Sequence, residues 1–236
     1  MSSSARARSF LGVAFSGALL LLGSSNIGSA CEPSQMIREA TAAEILAYFK
    51  SQHKTVLTLL GYSAADYEDK AALISQVTEI LERSDPRTTI VNIGATPDGI
   101  GVVYELAKQK GFATTGIVST QARESKASLS PCVDVVFFVK DASWGGFLEG
   151  TERLSPTSTA MVEVSDRLVA IGGGDVTRDE LTAAKRAGKD VRFIAADMNH
   201  AIARERALKR GQPVPTDFRG AAGAAFGSAQ SREPSR

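Results

Sequence analysis

The sequence is poor in the residues that build metal and redox centres. Its 236 residues include only two cysteines and two histidines, and His53 and His200 stand alone. A zinc or non-haem iron site needs several such ligands at close spacing, so no metal site of this kind is expected. Two cysteines also exclude a disulfide-rich scaffold, which depends on several bridges.

Familiar catalytic motifs and a strong net charge are missing as well. The sequence has no G-x-S-x-G elbow, no cysteine–histidine arrangement, and no Gly-Lys-Ser/Thr ending on the loop at residues 94–99. The formal charge of +1 favours neither nucleic acid nor an anionic membrane surface. The basic residues near position 206 are interpreted as a solvated helix face, so no nucleic-acid partner is expected.

The first 30 residues have the layout of a secretory signal peptide. Arg6 and Arg8 form a basic start, and the apolar run at residues 10–22 is shorter than the roughly 20 residues of a membrane span. Small residues at positions 28–30 then precede Cys31, as at a cleavage site. We predict an exported protein, periplasmic or envelope-associated, with a net charge of −1 after removal of the two arginines.

Several alternatives stay open at this end of the chain. The segment could be a membrane anchor, residues 28–31 resemble a lipobox whose cysteine carries a lipid, and residues 7–11 resemble a twin-arginine signal with one arginine missing. Translation from Met36 would instead give a cytoplasmic protein. In an oxidising compartment Cys31 and Cys132 could pair, whereas a lipid on Cys31 would leave Cys132 free.

Apolar runs alternate with amphipathic stretches along the rest of the chain, which indicates strands alternating with helices. Short loops between them predict an α/β fold: an open parallel sheet with helices on both faces. We predict an N-terminal helical segment at 31–53, the α/β domain at 54–210 and a disordered tail at 211–236. Strands are predicted at 55–60, 89–93, 113–119, 134–140, 168–171 and 191–195, and helices at 41–50, 69–83, 97–110, 158–164, 177–187 and 198–209.

The stretch at residues 168–181 combines a strand, a glycine loop and a helix start. An apolar run is followed by Gly172, Gly173 and Gly174, whose backbone can turn tightly and expose its N–H groups. Thr177 and Glu180 have capping-box spacing, so the next helix is predicted to begin at Thr177. This arrangement directs unpaired N–H donors toward an anion. Asp175, in the same stretch, is included among the candidate ligand-binding residues.

Two other loops follow predicted strands. One contains Gly61 and Ser63, and the other contains Gly94, Thr96 and Gly99. Thr96 precedes a proline, which predicts a helix cap at Thr96. Ligands in open parallel sheets lie beyond the carboxyl ends of the strands, so the loops are expected to line one cleft.

These three blocks resemble the LOG-like (lysine-decarboxylase-like, SLOG) family of Rossmann-fold nucleotide-binding proteins. Residues 172–180 match the family signature PGGxGTxxE in length, in the two central glycines, and at Thr177 and Glu180. Residues 61–71 resemble its first loop, and residues 94–112 its second glycine loop and helix. The resemblance implies a Rossmann-like sheet, a nucleotide-like ligand and a homodimer.

The departures from the family concern its chemistry. Enzymes of the family cleave nucleoside 5′-monophosphates to base and ribose 5-phosphate, and they use an arginine four residues before Met161, followed by a lysine. Here these positions hold Thr157 and Ser158. A hydroxyl cannot replace the bidentate phosphate contact of an arginine. The signature's proline and third glycine are also replaced, by Gly172 and Val176.

Two acidic residues lie in loops where the family meets phosphate. A carboxylate repels a phosphate unless a cation lies between them. Asp98 could stabilise its helix start, and Asp175 could point to solvent. Alternatively they could contact ribose hydroxyls or hold Mg²⁺ against a pyrophosphate. Apart from this Mg²⁺ no cofactor is predicted.

Three functions are compatible with these patterns. The first is an exported protein that binds a nucleotide or nucleotide derivative without turnover. The second is an N-glycosidic hydrolase in which Glu180 is catalytic and Arg123 or Arg153 supplies the missing charge. The third is a structural or lipid-anchored envelope protein, membrane-bound only through Cys31. In the loop at 141–156, Trp144 could stack on a base or anchor the loop together with Phe147.

Overall fold

The computed structural model describes Cys31 and residues 36–227, so the predicted signal peptide lies outside the described residues. The strands are β1 (Met36–Glu39), β2 (Thr55–Gly61), β3 (Thr89–Ile93), β4 (Ala113–Ser119), β5 (Val135–Val139), β6 (Arg167–Ile171) and β7 (Asp190–Ile194). The helices are α1 (Ala42–Gln52), α2 (Lys70–Glu82), α3 (Val102–Gln109), α4 (Gln121–Glu124), α5 (Pro156–Val164), α6 (Asp175–Arg186), α7 (His200–Lys209) and α8 (Gly220–Phe226). A 3₁₀ turn (Gly99–Gly101) leads into α3.

All seven strands are parallel and form one sheet in the order β1-β5-β4-β3-β2-β6-β7. The predicted α/β class is therefore confirmed, and the Rossmann-like open sheet is the fold that the resemblance implies. From β2 the chain proceeds outward through β3, β4 and β5, and it returns to β6 on the other side of β2. The strand order reverses between β2 and β6, and ligands bind at such a switch point in open α/β sheets.

Apolar strands buried on both faces hold the sheet in the centre of the protein. In β5, Val136 and Phe138 pack into the core on one face, and Val135, Phe137 and Val139 pack into the core on the other. A strand covered on both faces has no polar alternation, which explains why its sequence is continuously apolar.

Most predicted elements are confirmed, with ends shifted by one or two residues. The capping box of α1 is present: Thr41 Oγ1 accepts from Glu44 N–H at 3.3 Å, and Glu44 Oε2 accepts from Thr41 N–H at 2.8 Å. The predicted N-terminal helical segment also contains a strand that the sequence analysis missed. Met36 pairs with Val135, so the exposed β1 extends the sheet beyond β5. Four residues without apolar alternation give too little pattern to identify such a strand.

Two predicted helix starts are wrong. The helix after β3 begins at the 3₁₀ turn rather than at Thr96, whose hydroxyl accepts from Asp98 N–H at 3.1 Å. Helix α6 begins at Asp175 with Gly174 as its N-cap, so Thr177 and Glu180 lie inside the helix and form no capping box. Capping-box spacing misleads here because the Glu180 side chain has another partner, described below.

The predicted disordered tail is also corrected in part. Residues 211–227 are described and include α8, whereas residues 228–236 lie outside the described residues. Phe218 and Ala222 are buried, and Ala222 N–H donates to Gly173 O at 3.1 Å. The segment is rich in glycine and alanine, a composition that resembles a linker, but its small residues allow close packing against α6.

Cys31 and Cys132 form a disulfide, with their Cα atoms 4.8 Å apart and a sequence separation of 101. Of the two open possibilities for these residues, the structure has the pairing, and both side chains are buried. A thioether-linked lipid would need the same Cys31 sulfur, so the disulfide and the lipid exclude each other. Among the described helices, none combines the length and apolar character needed to cross a membrane.

Candidate functional site

A cavity of about 450 Å³ lies at the carboxyl ends of β2, β3 and β4. Its walls come from the loop after β2, the loop at residues 93–98, the segment at residues 127–129, and the first turns of α5 and α6. We call it the switch-point cavity because β2, beside which the strand order reverses, lines it. Its size is within the range of small-molecule sites, which are mostly about 300–1,000 Å³.

The cavity brings together six of the residues that the sequence analysis selected, and it leaves out five. The six that line it are Gly61, Ser63, Gly94, Thr96, Thr177 and Glu180. The five that do not line it are Gly99, Gly172, Gly173, Gly174 and Asp175. The loops after β2 and β3 therefore share one cleft, as expected, whereas the loop after β6 contributes through the helix that follows it.

Glu180 is the buried acid of the cavity, with 3% of its surface exposed. Its Oε1 accepts a hydrogen bond from Ser158 Oγ at 2.6 Å, and Ser158 Oγ in turn accepts from Gly146 N–H at 2.7 Å. Burial raises the pKa of Glu180 to about 7, outweighing the Ser158 hydrogen bond, and the neighbouring Asp179 carboxylate raises it further. Near neutral pH this carboxyl is therefore often protonated and can donate as well as accept a hydrogen bond.

Two aspartates missed by the sequence analysis hold the cavity wall in place. Asp179 Oδ2 accepts from Phe147 N–H at 2.8 Å, and its Oδ1 lies 2.8 Å from Arg178 Nη2. Asp141 Oδ2 accepts from Thr157 N–H at 2.9 Å, which attaches the start of α5 to the end of β5. Burial acts to raise the pKa of Asp141, but hydrogen bonds from the Thr157 and Ser143 N–H groups hold it below its ordinary value.

Thr157 is the position at which the resemblance predicts an arginine in enzymes. Its Oγ1 is buried and makes no hydrogen bond within the described residues, although the hydroxyl helps to lower the pKa of Asp141. Thr157 also lines the cavity. A buried hydroxyl without a partner is uncommon in a folded protein, and a ligand or an ordered water is the usual explanation.

The Gly172–Gly174 loop lies under the C-terminal segment. Gly172 N–H donates to Ile194 O at 2.8 Å, and Gly173 O accepts from Ala222 N–H at 3.1 Å. Gly173 has φ +129°, and a Cβ there would lie 2.5 Å from Thr177 Cβ. Gly172 and Gly173 are needed for a turn and for close packing, whereas a Cβ at Gly174 would meet nothing within 4 Å, and none of the three lines the cavity.

The predicted acidic residues differ in their surroundings. Asp98 is exposed at the rim of the cavity and its carboxylate has no hydrogen-bond partner among those described. Asp175 is the first residue of α6, largely exposed, and its Oδ1 lies 2.8 Å from Arg178 Nη1. Within the described residues, no group of three or more histidines, cysteines, aspartates or glutamates could hold a metal ion.

No positive side chain of the described residues lines the cavity. Among the described residues that line it, Asp98 and Glu180 are the ones that ionise, and neither lysine, arginine nor histidine is present. Arg123 pairs with Glu39 at 2.8 Å and lies over the Phe138 ring, away from the cavity. Arg153 does not line the cavity either. Neither arginine proposed from the sequence therefore supplies the missing charge in this structure.

Trp144 lies at the mouth of the cavity with 54% of its surface exposed. Phe147, from the same loop, forms a β-bridge with Leu154 and does not line the cavity. The two aromatic residues thus have different positions: Phe147 belongs to the loop's own structure, and Trp144 presents a ring beside the opening.

No family model matches the sequence, and no curated protein matches it. Among solved structures, the chain is similar to TM1055, a structural genomics target, with 19% identity, a TM-score of 0.44, and coverage of 58% of this chain and 72% of that one. It is also similar to a molybdenum cofactor carrier protein from Chlamydomonas reinhardtii, with 18% identity, a TM-score of 0.44, and coverage of 75% and 99% respectively. At these identities and TM-scores the likeness does not identify a ligand.

Proposed function

We propose that the chain is a LOG-like binding protein that holds a nucleotide or nucleotide derivative in the switch-point cavity without turning it over. The observation that carries the proposal is the cavity itself. It lies where open α/β sheets bind ligands, and the loops after β2 and β3 that resemble the LOG-like family line it. Apolar walls with a few convergent polar groups are typical of small-molecule sites.

The absence of turnover is supported by the groups around Glu180. Ser158 donates its hydroxyl to Glu180 at 2.6 Å, where an enzyme of the family would have a cation. Holding the phosphate of a nucleoside 5′-monophosphate while its N-glycosidic bond breaks calls for the bidentate contact of an arginine, which a hydroxyl cannot replace. The described residues that line the cavity include no arginine or lysine.

A thermal-shift screen of residues 31–236 tests the binding. The panel contains nucleosides, nucleoside mono-, di- and triphosphates, dinucleotides and ADP-ribose, each with and without Mg²⁺. A ligand at 100 times its Kd adds about 2.7 kcal/mol to the free energy of unfolding, which raises Tm by several degrees. No shift with any compound, from folded protein, would overturn the proposal and favour a structural envelope role.

A blocking variant and a matched control make the screen specific for this cavity. Ser63 lines the cavity and is exposed, so a tryptophan there reaches into the opening without disturbing the core. Ser51 is exposed on α1, away from the cavity. We expect Ser63→Trp to abolish the ligand-induced shift and Ser51→Trp to retain it.

The hydrolase remains a second candidate because one observation favours it. Glu180 lines the cavity and has a pKa raised to about 7 by burial, which suits a general acid or base. This function requires release of base and ribose 5-phosphate from a nucleoside 5′-monophosphate, and loss of that activity in Glu180→Gln. We expect no release above background from the wild-type protein.

Export is part of the proposal, and the disulfide supports it because disulfides persist mainly in oxidising compartments. Mass spectrometry of the mature protein checks it: we expect a chain that begins at Cys31, carries no lipid, and loses one disulfide on reduction. A chain that begins at Met36 and is found in the cytoplasm would contradict it. The homodimer implied by the resemblance is tested by light scattering on the same sample.

A further inference from the structure

We infer that the ligand of the switch-point cavity carries no phosphate group and is an uncharged nucleoside or a closely related heterocycle. This inference rests on the proposed function, because it names which nucleotide derivative the cavity takes. It is carried by the charge of the cavity, by the carboxylates at the surrounding helix starts, and by the buried Thr157 hydroxyl, which is left without a hydrogen-bond partner.

The charge of the cavity opposes a phosphate. Asp98 at the rim and Glu180 in the wall are both acidic, and no described lysine, arginine or histidine lines the cavity to offset them. Arg178, a cation of the same helix as Glu180, already lies 2.8 Å from both the Asp175 and the Asp179 carboxylates. A phosphate bound here would face the exposed Asp98 carboxylate and, in the molecules in which Glu180 is ionised, a second carboxylate that is buried and weakly screened.

Helix N-termini are the other common anion partners, and here each lies beside a carboxylate. The start of α5 donates the Thr157 N–H to Asp141 at 2.9 Å. The start of α6 carries Asp175 in its first turn, and the 3₁₀ turn before α3 follows Asp98. At α5 the Asp141 carboxylate occupies the place that a phosphate would take, whereas Asp98 and Asp175 accept no hydrogen bond from their helix starts and oppose a phosphate by offsetting the positive end of the dipole.

What the cavity offers instead is suited to a neutral ring with hydroxyl groups. Leu60, Ile93, Ile117 and Met161 give apolar walls, and the exposed ring of Trp144 lies at the mouth. An aromatic ring at the opening can stack on a heterocyclic base.

Apart from Asp98 at the rim, the polar groups of the cavity are uncharged or readily neutralised. Thr157 Oγ1 is buried without a hydrogen-bond partner, and the Glu180 carboxyl can carry a proton near neutral pH. Such groups pair with base edges or sugar hydroxyls, and none of them needs a negative charge on the ligand.

Isothermal titration with matched pairs tests the inference. Each pair is a nucleoside and its own 5′-monophosphate, for adenosine, guanosine, inosine, cytidine and uridine, at physiological salt without Mg²⁺. We expect at least one nucleoside to bind ten times more tightly than its monophosphate, or better. A monophosphate that binds as tightly as its nucleoside overturns the inference and leaves the proposed function standing. If neither series binds, while the panel with other nucleotides does, the inference alone fails; if nothing binds, both fail.

Two variants test whether the carboxylate at the rim repels a phosphate. Asp98→Asn removes the exposed rim carboxylate, and we expect monophosphate binding to strengthen about threefold while nucleoside binding stays within twofold. Glu163→Gln, an exposed acid near the other end of α5, is the matched control and should change neither. Equal effects of Asp98→Asn on both members of a pair would contradict the charge argument.

Thr157→Val removes the unpartnered hydroxyl and keeps the shape of the side chain. We expect nucleoside binding to weaken at least fivefold, and Tm of the free protein to fall by a few degrees at most, because the hydroxyl also helps to stabilise the Asp141 carboxylate. Unchanged affinity would show that this hydroxyl does not contact the ligand and would overturn that part of the inference.

Discussion

Two glycine loops that look alike in sequence have different surroundings in the structure. The loop that begins at Gly94 opens onto the switch-point cavity, and a Cβ at Gly94 would have Ile117 O, at 4.0 Å, as its nearest neighbour. The loop at Gly172 and Gly173 lies under the C-terminal segment, where Ala222 N–H donates to Gly173 O. Glycines after a strand therefore indicate a tight turn, and only the neighbouring segments decide whether that turn is open to a ligand.

The two loops also differ in what holds their neighbours in place. Ala95, in the first loop, accepts from Ser130 N–H at 2.9 Å, and Ser130 lies two residues before the disulfide at Cys132. The second loop is held by α8, without any covalent bond. Variants of the bridge and of the two loops should therefore differ in their effect on stability.

Removing the disulfide is expected to have the largest effect. Cys31→Ser combined with Cys132→Ser lowers the free energy of unfolding by about 4–5 kcal/mol, because a bridge closing a loop of about 100 residues restricts the unfolded chain by that amount. Tm falls by about 10 °C or more. Denaturant unfolding with and without reductant measures the change, and the double variant should be insensitive to reductant. Equal midpoints for oxidised and reduced wild type would contradict this.

Gly173→Ala is expected to have the second largest effect on the free energy of unfolding. A Cβ at Gly173 would approach Thr177 Cβ to 2.5 Å, and φ +129° is unfavourable for any residue with a side chain. Strain and overpacking of this kind cost about 3 kcal/mol. Thermal unfolding measures the loss of stability. A loss below about 1 kcal/mol would contradict the close packing of Gly173 against Thr177.

The buried acid gives an effect of similar size that depends on pH. Because burial raises the pKa of Glu180 to about 7 in the folded state, the folded protein binds more protons than the unfolded chain between pH 4.5 and 7. Stability is therefore greatest below about pH 4.5 with respect to this group, and it decreases by about 3 kcal/mol as the pH rises through 7.

Glu180→Gln removes this dependence and serves as its control. The difference in unfolding free energy between wild type and variant should change by about 3 kcal/mol between pH 4.5 and 8, in favour of the variant at high pH. Denaturant unfolding at a series of pH values measures it. A constant difference across that range would contradict a raised pKa at Glu180.

Gly94→Ala is expected to have the smallest effect on stability and so completes the comparison with Gly173→Ala. The added methyl group meets open space, so the free energy of unfolding changes by less than about 1 kcal/mol. Because Gly94 lines the cavity, ligand affinity should nevertheless weaken several-fold. A large loss of stability with normal binding would reverse the assignment of the two loops.

The sheet and most helices could be predicted because their signals are local. A continuous apolar run such as β5 and a capping box such as Thr41–Glu44 are visible within ten residues. The cleft shared by the loops after β2 and β3 was predictable too, since carboxyl ends of parallel strands meet at one edge of the sheet.

The parts that escaped prediction depend on contacts between distant residues. Glu180 was assigned to a capping box, but its partner is Ser158, 22 residues away and on another helix. The cover over Gly173 comes from α8, whose composition resembles a linker. Asp141, directly after an apolar strand and before a helix start, could have been noticed, whereas nothing in the sequence around Asp179 indicates that it holds Phe147 N–H.

The pairing of β1 with β5 limits the order in which the strands can join the sheet during synthesis. Met36 cannot pair with Val135 until about 100 more residues have been made, so β1 can join the sheet only after β5 has emerged. The same pairing brings Cys31 within reach of Cys132, and the chain has no third cysteine that could compete. Disulfide formation therefore fixes β1 beside β5 once the sheet edge has formed. With two cysteines, one molecule cannot form a wrong disulfide within itself. The wrong pairing that remains is a disulfide between two molecules.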